Sequence, residues 1–264
     1  MKYISSTQNP QIKTLKGLQD KARKRAENNQ FVIEGIKELT YAIQAGYLID
    51  ELYVSDSNRT EKTDELIQEK QGAGCALYEL SAALFKTLCY RSTSDVLGVA
   101  QRKEHSLATL HLKDNPLLLI AEAPEKPGNI GALARTVDAA KADALIITNP
   151  KTDLYNPNVI RSSVGCMFSI PIAIGTNEEV FSFLKSNDIK LFSAALSEKA
   201  KVYTEENYTS ATAIAVGTED IGLSNTWCNQ SKNHIVIPML GVNDSLNVSV
   251  AAGIILFEAI RQRK

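Results

Sequence analysis

The chain is poor in the residues that most often carry metal or nucleophilic chemistry: it has three histidines, four cysteines and one tryptophan in 264 residues. Cys75, Cys89, Cys166 and Cys228 lie far apart and form no C-x-x-C pair. That excludes the paired spacing of a structural zinc site, so no metal is expected, and the cysteines read as reduced, mostly buried thiols of a cytoplasmic protein. His105, His111 and His234 are isolated, which argues against a histidine general base. No apolar run approaches the length of a membrane span. The first nine residues are polar and lack the apolar core of a signal peptide, so a cytoplasmic location away from membranes is expected. Charge of neither sign dominates: 29 Lys and Arg face 30 Asp and Glu, for a net −1. Wholesale wrapping by nucleic acid is therefore not expected, though a local basic patch remains open. Three N-x-S/T triplets, at Asn58, Asn207 and Asn247, are chance matches in a chain with no secretory signal.

Familiar site motifs are missing too. The sequence has no G-x-x-x-x-G-K-[ST], no G-x-G-x-x-G after a strand, no H-E-x-x-H and no G-x-S-x-G. Phosphate loops, dinucleotide fingerprints, zinc proteases and serine hydrolases are set aside on that basis.

What is present begins with basic residues. Lys2, Lys13, Lys16, Lys21, Arg23, Lys24 and Arg25 stand against Asp20 and Glu27, a local net of +5. Ile12, Leu15, Leu18 and Ala22 fall at helical spacing, so one amphipathic basic helix is expected from Asn9 or Pro10 to Ala26. Residues 1–28 read as a basic arm, either a solvated helix face or a phosphate contact. Short strands near 31–35, 51–55, 75–79 and 96–100 alternate with helices, which describes a small α/β domain over 29–105. The polar stretch 106–115 reads as a linker.

A second domain is expected over 116–264. It opens with the buried strand 116–121, followed by a Pro/Gly turn, Asn129 as a helix cap and a helix over 130–140. Strands follow near 144–148, 170–174, 191–195, 213–216 and 235–237, with helices between them and a small-residue helix last. The alternation implies a mostly parallel sheet covered on both faces. Ligands of such sheets bind outside the carboxyl ends of the strands. The loops there hold Gly128, Gly217 and Gly241 together with Asn129, Glu219, Ser245 and Asn247, with Arg135 nearby on a helix. Taken singly, Asn129 and Ser245 are caps, Glu219 a turn residue and Arg135 a solvated side chain.

Taken together these stretches resemble the SpoU family of RNA ribose 2′-O-methyltransferases, in the trefoil-knotted SPOUT superfamily. The likeness spans 113–264 and rests on three segments. The first is Asn129-Ile130-Gly131-Ala132-Leu133-Ala134-Arg135-Thr136. The second is Arg161-Ser162-Ser163-Val164-Gly165-Cys166-Met167-Phe168, joined later by Gly217-Thr218-Glu219-Asp220-Ile221-Gly222-Leu223. The third runs from Ile237-Pro238 through Ser245-Leu246-Asn247-Val248-Ser249. The N-terminal part is similar to the family's substrate-binding domain, of ribosomal-protein-like α/β fold. The resemblance implies an α/β architecture in which a parallel-sheet domain with a deep C-terminal knot joins a smaller N-terminal domain. It implies S-adenosyl-L-methionine as cofactor, with Leu196, Gly217, Ile237 and Leu246 as its contacts. It implies a homodimer, and Asn129, Arg135, Glu219, Ser245 and Asn247 as catalytic residues. Lys13, Lys16, Arg23, Lys24 and Arg25 become RNA contacts on this reading. The expected substrate is ribosomal RNA, in particular 23S rRNA. Transfer RNA, methylation of a base instead of a ribose, and a non-catalytic RNA-binding module are the alternatives.

Overall fold

The computed structural model describes residues 1–264 apart from Asn58 and Glu219. The described residues form two compact units, one of Met1–Glu104 with Asp153–Ser169 and one of His105–Thr152 with Ile170–Lys264.

In the first unit a five-stranded sheet holds β1 (Lys2–Ile4), β2 (Gln30–Glu34), β3 (Ile49–Ser55), β4 (Ala76–Leu80) and β5 (Val96–Gln101) in the order β1-β4-β3-β5-β2. β4 is flanked by parallel partners, whereas β5 runs antiparallel to both β3 and β2. The helices are α1 (Pro10–Asp20), α2 (Ala22–Asn28), α3 (Ile36–Gln44), α4 (Glu61–Lys70) and α5 (Ala82–Leu88). The expected arm is part of this body. β1 is an edge strand of the sheet, and Ile12, Leu15 and Leu18 of α1 are buried in one cluster with Tyr53, Leu84, Phe85 and Leu97.

The single basic helix expected there is two helices. Asn9 caps α1 by accepting from the Gln11 amide, and Pro10 occupies the first turn, where its missing N–H costs nothing. The helix then ends at Lys21, which is extended at φ −124°, ψ 113°. The cause lies four residues on. Arg25 turns inward and donates to the carbonyls of Leu18 (2.7 Å) and Gln19 (3.1 Å), at the C-terminal end of α1. A cation placed there satisfies carbonyls that have no intrahelical donor and faces the negative end of the helix dipole. Its Nε donates to Asp153 at 2.5 Å. Arg25 is 2% exposed, so it is a structural cation and not an RNA contact, which corrects its assignment from the sequence.

The second unit is built on an all-parallel sheet. β6 (Leu117–Glu122) leads into α6 (Pro127–Ala140) and β7 (Ala144–Thr148). The chain then leaves this unit. Residues 153–169, expected in the second domain, belong to the first, where they carry α7 (Pro157–Ser163). Tyr155 and Phe168 join Phe31 and Tyr47 in an aromatic cluster there, with Phe31 and Tyr155 ring centroids 4.2 Å apart. Back in the second unit come β8 (Ile172–Gly175), α8 (Asn177–Ser186), β9 (Lys190–Ala194), β10 (Lys201–Val202), β11 (Thr212–Val216), α9 (Asn225–Gln230), β12 (Asn233–Val236) and α10 (Val248–Gln262). The sheet order is β10-β12-β9-β11-β6-β7-β8. β6, β7 and β11 are buried along their whole length, which is why they read as unbroken apolar runs without alternation. The expected linker 106–115 is not free chain: Leu107, Leu110 and Leu112 pack against the core around Leu118, Ile120 and Trp227.

The two arginines of α2 should therefore behave oppositely. Arg25→Ala leaves Asp153 and two helix-end carbonyls without their buried donor and should cost roughly 3–5 kcal/mol. Arg23, whose side chain is 88% exposed, should tolerate alanine with no change in the unfolding midpoint. Denaturant unfolding of the two variants checks this; equal midpoints would show that Arg25 does not hold the helix junction.

Candidate active site

In a parallel sheet all carboxyl ends share one edge. β12, β9, β11 and β6 are neighbours in that order. Their ends therefore deliver Ile237, Leu196, Gly217 and the turn toward Asn129 to one rim of the second unit. Three of these residues end a strand or follow within two positions, so the backbone there has just left the ladder and is open to a ligand.

The rim owes its local shape to Gly217. A Cβ at this position would lie 2.0–2.2 Å from the backbone atoms of Gly222 and Leu223. Nothing larger than glycine fits, because the chain folds straight back on itself. Thr218 and Gly222 exchange two backbone hydrogen bonds of 3.0 Å. The loop is anchored from below by Glu122, the last residue of β6. Its buried carboxylate accepts from the Ser224 amide (2.7 Å) and from the Ser224 hydroxyl (2.6 Å). Glu122 is missing from the residues singled out in the sequence. The available signal is an acid closing an otherwise apolar buried strand, a position where an unpaired charge is not tolerated.

α6 and α10 pack side by side and run in the same direction. Near their starts the Asn247 side-chain amide donates to the Asn129 side-chain oxygen Oδ1 at 3.4 Å. Further along, a Cβ on Gly253 would stand 3.7 Å from the Thr136 methyl. Asn247 caps α10, its Oδ1 accepting from the Ser249 amide (2.9 Å) and hydroxyl (2.6 Å). Because the oxygen serves the cap, the NH₂ is the group left to meet Asn129. Asn129 itself is not a cap: α6 begins at Pro127 with Lys126 before it, which places Asn129 in the first turn. Ser245 lies exposed two residues ahead of the cap and does not cap α10. Two helix N-termini thus meet at the rim, each a partial positive charge.

Arg135 is exposed on α6 and makes no hydrogen bond or ion pair among the described residues. Six residues of helix turn it about 240° from Asn129 and carry it about 9 Å along the axis. The structure therefore joins Asn129 to Asn247 but not to Arg135. Glu219 falls outside the described residues. Of the expected cofactor contacts, Leu196 is 82% and Leu246 is 38% exposed, and Ile237 is half-buried. A small cavity of about 30 Å³ opens between Pro124, Lys126, Asn129, Gly217 and Val248. The Cys228 thiol beneath the loop is raised above its ordinary pKa, by burial first and then by the charge of Glu122. It stays protonated, which removes it as a nucleophile. Among the described residues no group of three or more His, Cys, Asp or Glu is placed to hold a metal ion, and no helix is long and apolar enough to cross a membrane.

The basic residues of the N-terminal helices divide. Lys13 is exposed and Lys16 half-buried on α1. Arg23 and Lys24 are exposed but both pair with Glu27, at 2.6 and 2.9 Å. Hydrogen bonds from Lys24 and then Arg23 hold the Glu27 carboxyl below its ordinary range.

An open parallel sheet with glycine-shaped loops and polar side chains at its carboxyl rim defines an α/β ligand-binding domain. Residues 116–257 match the SpoU rRNA Methylase family, and residues 9–98 match the MRM3-like substrate binding domain. The chain belongs to the SpoU rRNA methylase family. It is 30% identical to the 23S rRNA (guanosine(2553)-2′-O)-methyltransferase RlmP of Bacillus subtilis, over 97% of this chain and 98% of that one. It is 35% identical to the tRNA (guanosine(18)-2′-O)-methyltransferase of Thermus thermophilus, over 61% of this chain and 83% of that one. Among solved structures it is similar to the SpoU methyltransferase AviRb from Streptomyces viridochromogenes in complex with AdoMet. That likeness has a TM-score of 0.87 and 26% identity, and covers 97% of this chain and 99% of that one.

The close approach at Gly217 makes a test of the rim. Gly217→Ala must push the 222–223 backbone away, so hydrogen exchange over residues 217–224 should accelerate and the unfolding midpoint should fall. Gly241→Ala, where an added Cβ meets nothing within 4 Å, should leave both unchanged. Equal behaviour of the two variants would mean the loop relaxes freely and the glycine is not required.

Proposed function

We propose that this chain transfers a methyl group from S-adenosyl-L-methionine to a ribose 2′-hydroxyl of 23S ribosomal RNA. The observation that carries the reading is the meeting of the α6 and α10 N-termini at the strand ends, tied by Asn129 and Asn247, with an unpaired guanidinium on α6. Ribosomal RNA is favoured over transfer RNA because the first unit accompanies the second in the rRNA-acting relative along nearly its whole length, whereas the tRNA-acting one matches only 61% of this chain.

The residues present fit the cofactor. Leu196 and Leu246 offer exposed apolar surface at the rim, and Gly217 and Ile237 offer backbone groups just past the ladder. When bound, S-adenosyl-L-methionine supplies a methyl on a sulfonium, a good leaving group without further activation. The chain's own residues must then deal with the poor nucleophile. Arg135 acts as a fixed positive charge, as a guanidinium does in proteins. It stabilises negative charge developing on the 2′-oxygen or holds the adjacent phosphate. Asn129, Ser245 and Asn247 orient the ribose, and Glu219 is assigned the same task on its place in the sequence. The two helix N-termini favour the phosphate of the same nucleotide.

The reading includes a homodimer. Val250 and Phe257, each about half exposed, leave apolar surface on α10 that a second copy would cover. It includes the C-terminal knot, supported by the last strand, β12, entering the sheet between the earlier β10 and β9. A cytoplasmic location follows from the ribosomal substrate.

Methylation of an unmodified 23S rRNA transcript with labelled cofactor, followed by digestion to nucleosides, tests the function. The expected product is a single 2′-O-methylnucleoside; a methylated base, or RNA binding without transfer, would overturn it. Arg135→Ala should keep its cofactor affinity yet lose transfer by on the order of 10²-fold, since its charge acts in the transition state. Arg135→Lys should recover part of the rate if charge alone matters and almost none if the planar fork is needed. Parental turnover in Arg135→Ala would remove it from the site. For the N-terminal helices, Lys13→Gln together with Lys16→Gln should reduce the slope of log affinity against log salt by roughly two phosphate contacts. An unchanged slope would make that face merely solvated.

A further inference from the structure

A cleft of about 450 Å³ lies wholly within the first unit. Its walls bring together Glu34 of β2, Tyr90 and Arg91 from the loop after α5, Arg161 of α7, and Asp20 at the end of α1. Arg161 belongs to a motif that the chemistry at the strand ends leaves unused.

Tyr90 is the unusual residue. It is 72% exposed, yet a cation covers one face of its ring and its backbone amide is tied down. The Arg161 guanidinium lies over one face of the ring, 3.5 Å from the centroid. The Glu34 carboxylate accepts from the Tyr90 amide (3.0 Å) with one oxygen and from the Arg91 amide (2.8 Å) with the other. Arg91 in turn donates to the buried Glu38 at 2.7 Å. An exposed ring gains only modest stability from a cation over one face. Fixing it lowers the entropy cost of a partner that stacks on it.

The lining narrows the ligand. Arg91 is engaged by Glu38 and Glu34 by two amides, so the cleft has no free cation cluster to hold a phosphate. Cys89, also in the wall, is pushed up to about 12 by burial and stays a neutral thiol. What remains is a flat aromatic face backed by a cation, an apolar floor of Val32 and Leu88, and the Asp20 carboxylate as a hydrogen-bond acceptor. That combination suits a planar, neutral, amino-bearing ring. We propose that the cleft binds one unpaired nucleobase of the RNA, stacked on Tyr90, and prefers bases with an exocyclic amino group over uracil. Stacking on aromatic and guanidinium planes is how single-stranded RNA is held where side chains cannot enter a helix groove. This inference deepens the RNA-methyltransferase reading and rests on it, while placing a contact far in sequence from the methyl-transfer residues.

The test uses the full chain with short single-stranded oligoadenylate, oligocytidylate and oligouridylate. Tyr90→Ala should lower affinity for oligoadenylate about tenfold at every salt concentration, leaving the salt slope unchanged, because stacking releases no counterions. Tyr90→Phe and Tyr90→Trp should bind as the parent does. Oligoadenylate and oligocytidylate should outcompete oligouridylate. In the parental protein, 2-aminopurine within oligoadenylate should be quenched on binding, a readout independent of any variant. Unquenched 2-aminopurine, or parental affinity in Tyr90→Ala, overturns the proposal even if rRNA is still methylated. Loss of 2′-O-methyl transfer to rRNA with quenching intact would instead fault the catalytic reading and leave the cleft.

Discussion

The parallel packing of α6 against α10 is the constraint on which the rim depends. Antiparallel neighbours would set one helix's positive end beside the other's negative end. Here both N-termini meet at the same edge of the sheet, because each helix follows a strand that points there. Two like partial charges side by side repel, by a fraction of a kcal/mol to about 1 kcal/mol at exposed ends. Asn247 offsets part of this by capping its own helix while its amide reaches Asn129. An anion at the rim would offset the rest. The geometry that makes the rim mildly unfavourable by itself is thus the same geometry that favours a phosphate, and no dedicated phosphate loop is required.

The first unit shows how charge can mislead. Five cations of the N-terminal helices look equivalent by type. Arg25 joins two helices and draws in Asp153, 128 residues away. Arg23 and Lys24 are balanced by Glu27. Only Lys13 and Lys16 present charge with no acid beside them in an ion pair among the described residues. What decides the role is a neighbour's unsatisfied carbonyl or carboxylate, and neither periodicity nor net charge contains that.

The parallel sheet, its strand-end loops and the family were legible, because buried strands announce themselves as apolar runs and the rim residues cluster in three short motifs. Less was legible where local rules compete. Pro127-Gly128 reads as a turn, yet proline is equally suited to a helix's first turn, so α6 starts three residues early. β10, two residues long, owes its existence to pairing with β12 and carries no periodic signal. The return of 153–169 to the first unit is a long-range event, set by Tyr155 and Phe168 finding Phe31 and Tyr47. Glu122 was legible only as an anomaly, an acid at the end of a buried strand whose partner, Ser224, lies 102 residues on.

On the proposed function, the surroundings of the rim bear on why a fixed charge would serve as the catalyst. His234 is held by the carbonyls of Cys228 and Ser231, and His105 by that of Ile172, so neither imidazole is free to serve the rim. Cys228 is kept protonated by burial and by Glu122, and Glu122 already accepts two hydrogen bonds. On that proposal the chain offers the reaction oriented amides, helix ends and one guanidinium, none of which serves as a base. Groups of that kind do not remove a proton; they lower the cost of the charge left when it departs to solvent. On the proposed function, the acidity of the ribose hydroxyl would set the pH dependence of the step, and Arg135 would set how far that acidity is raised.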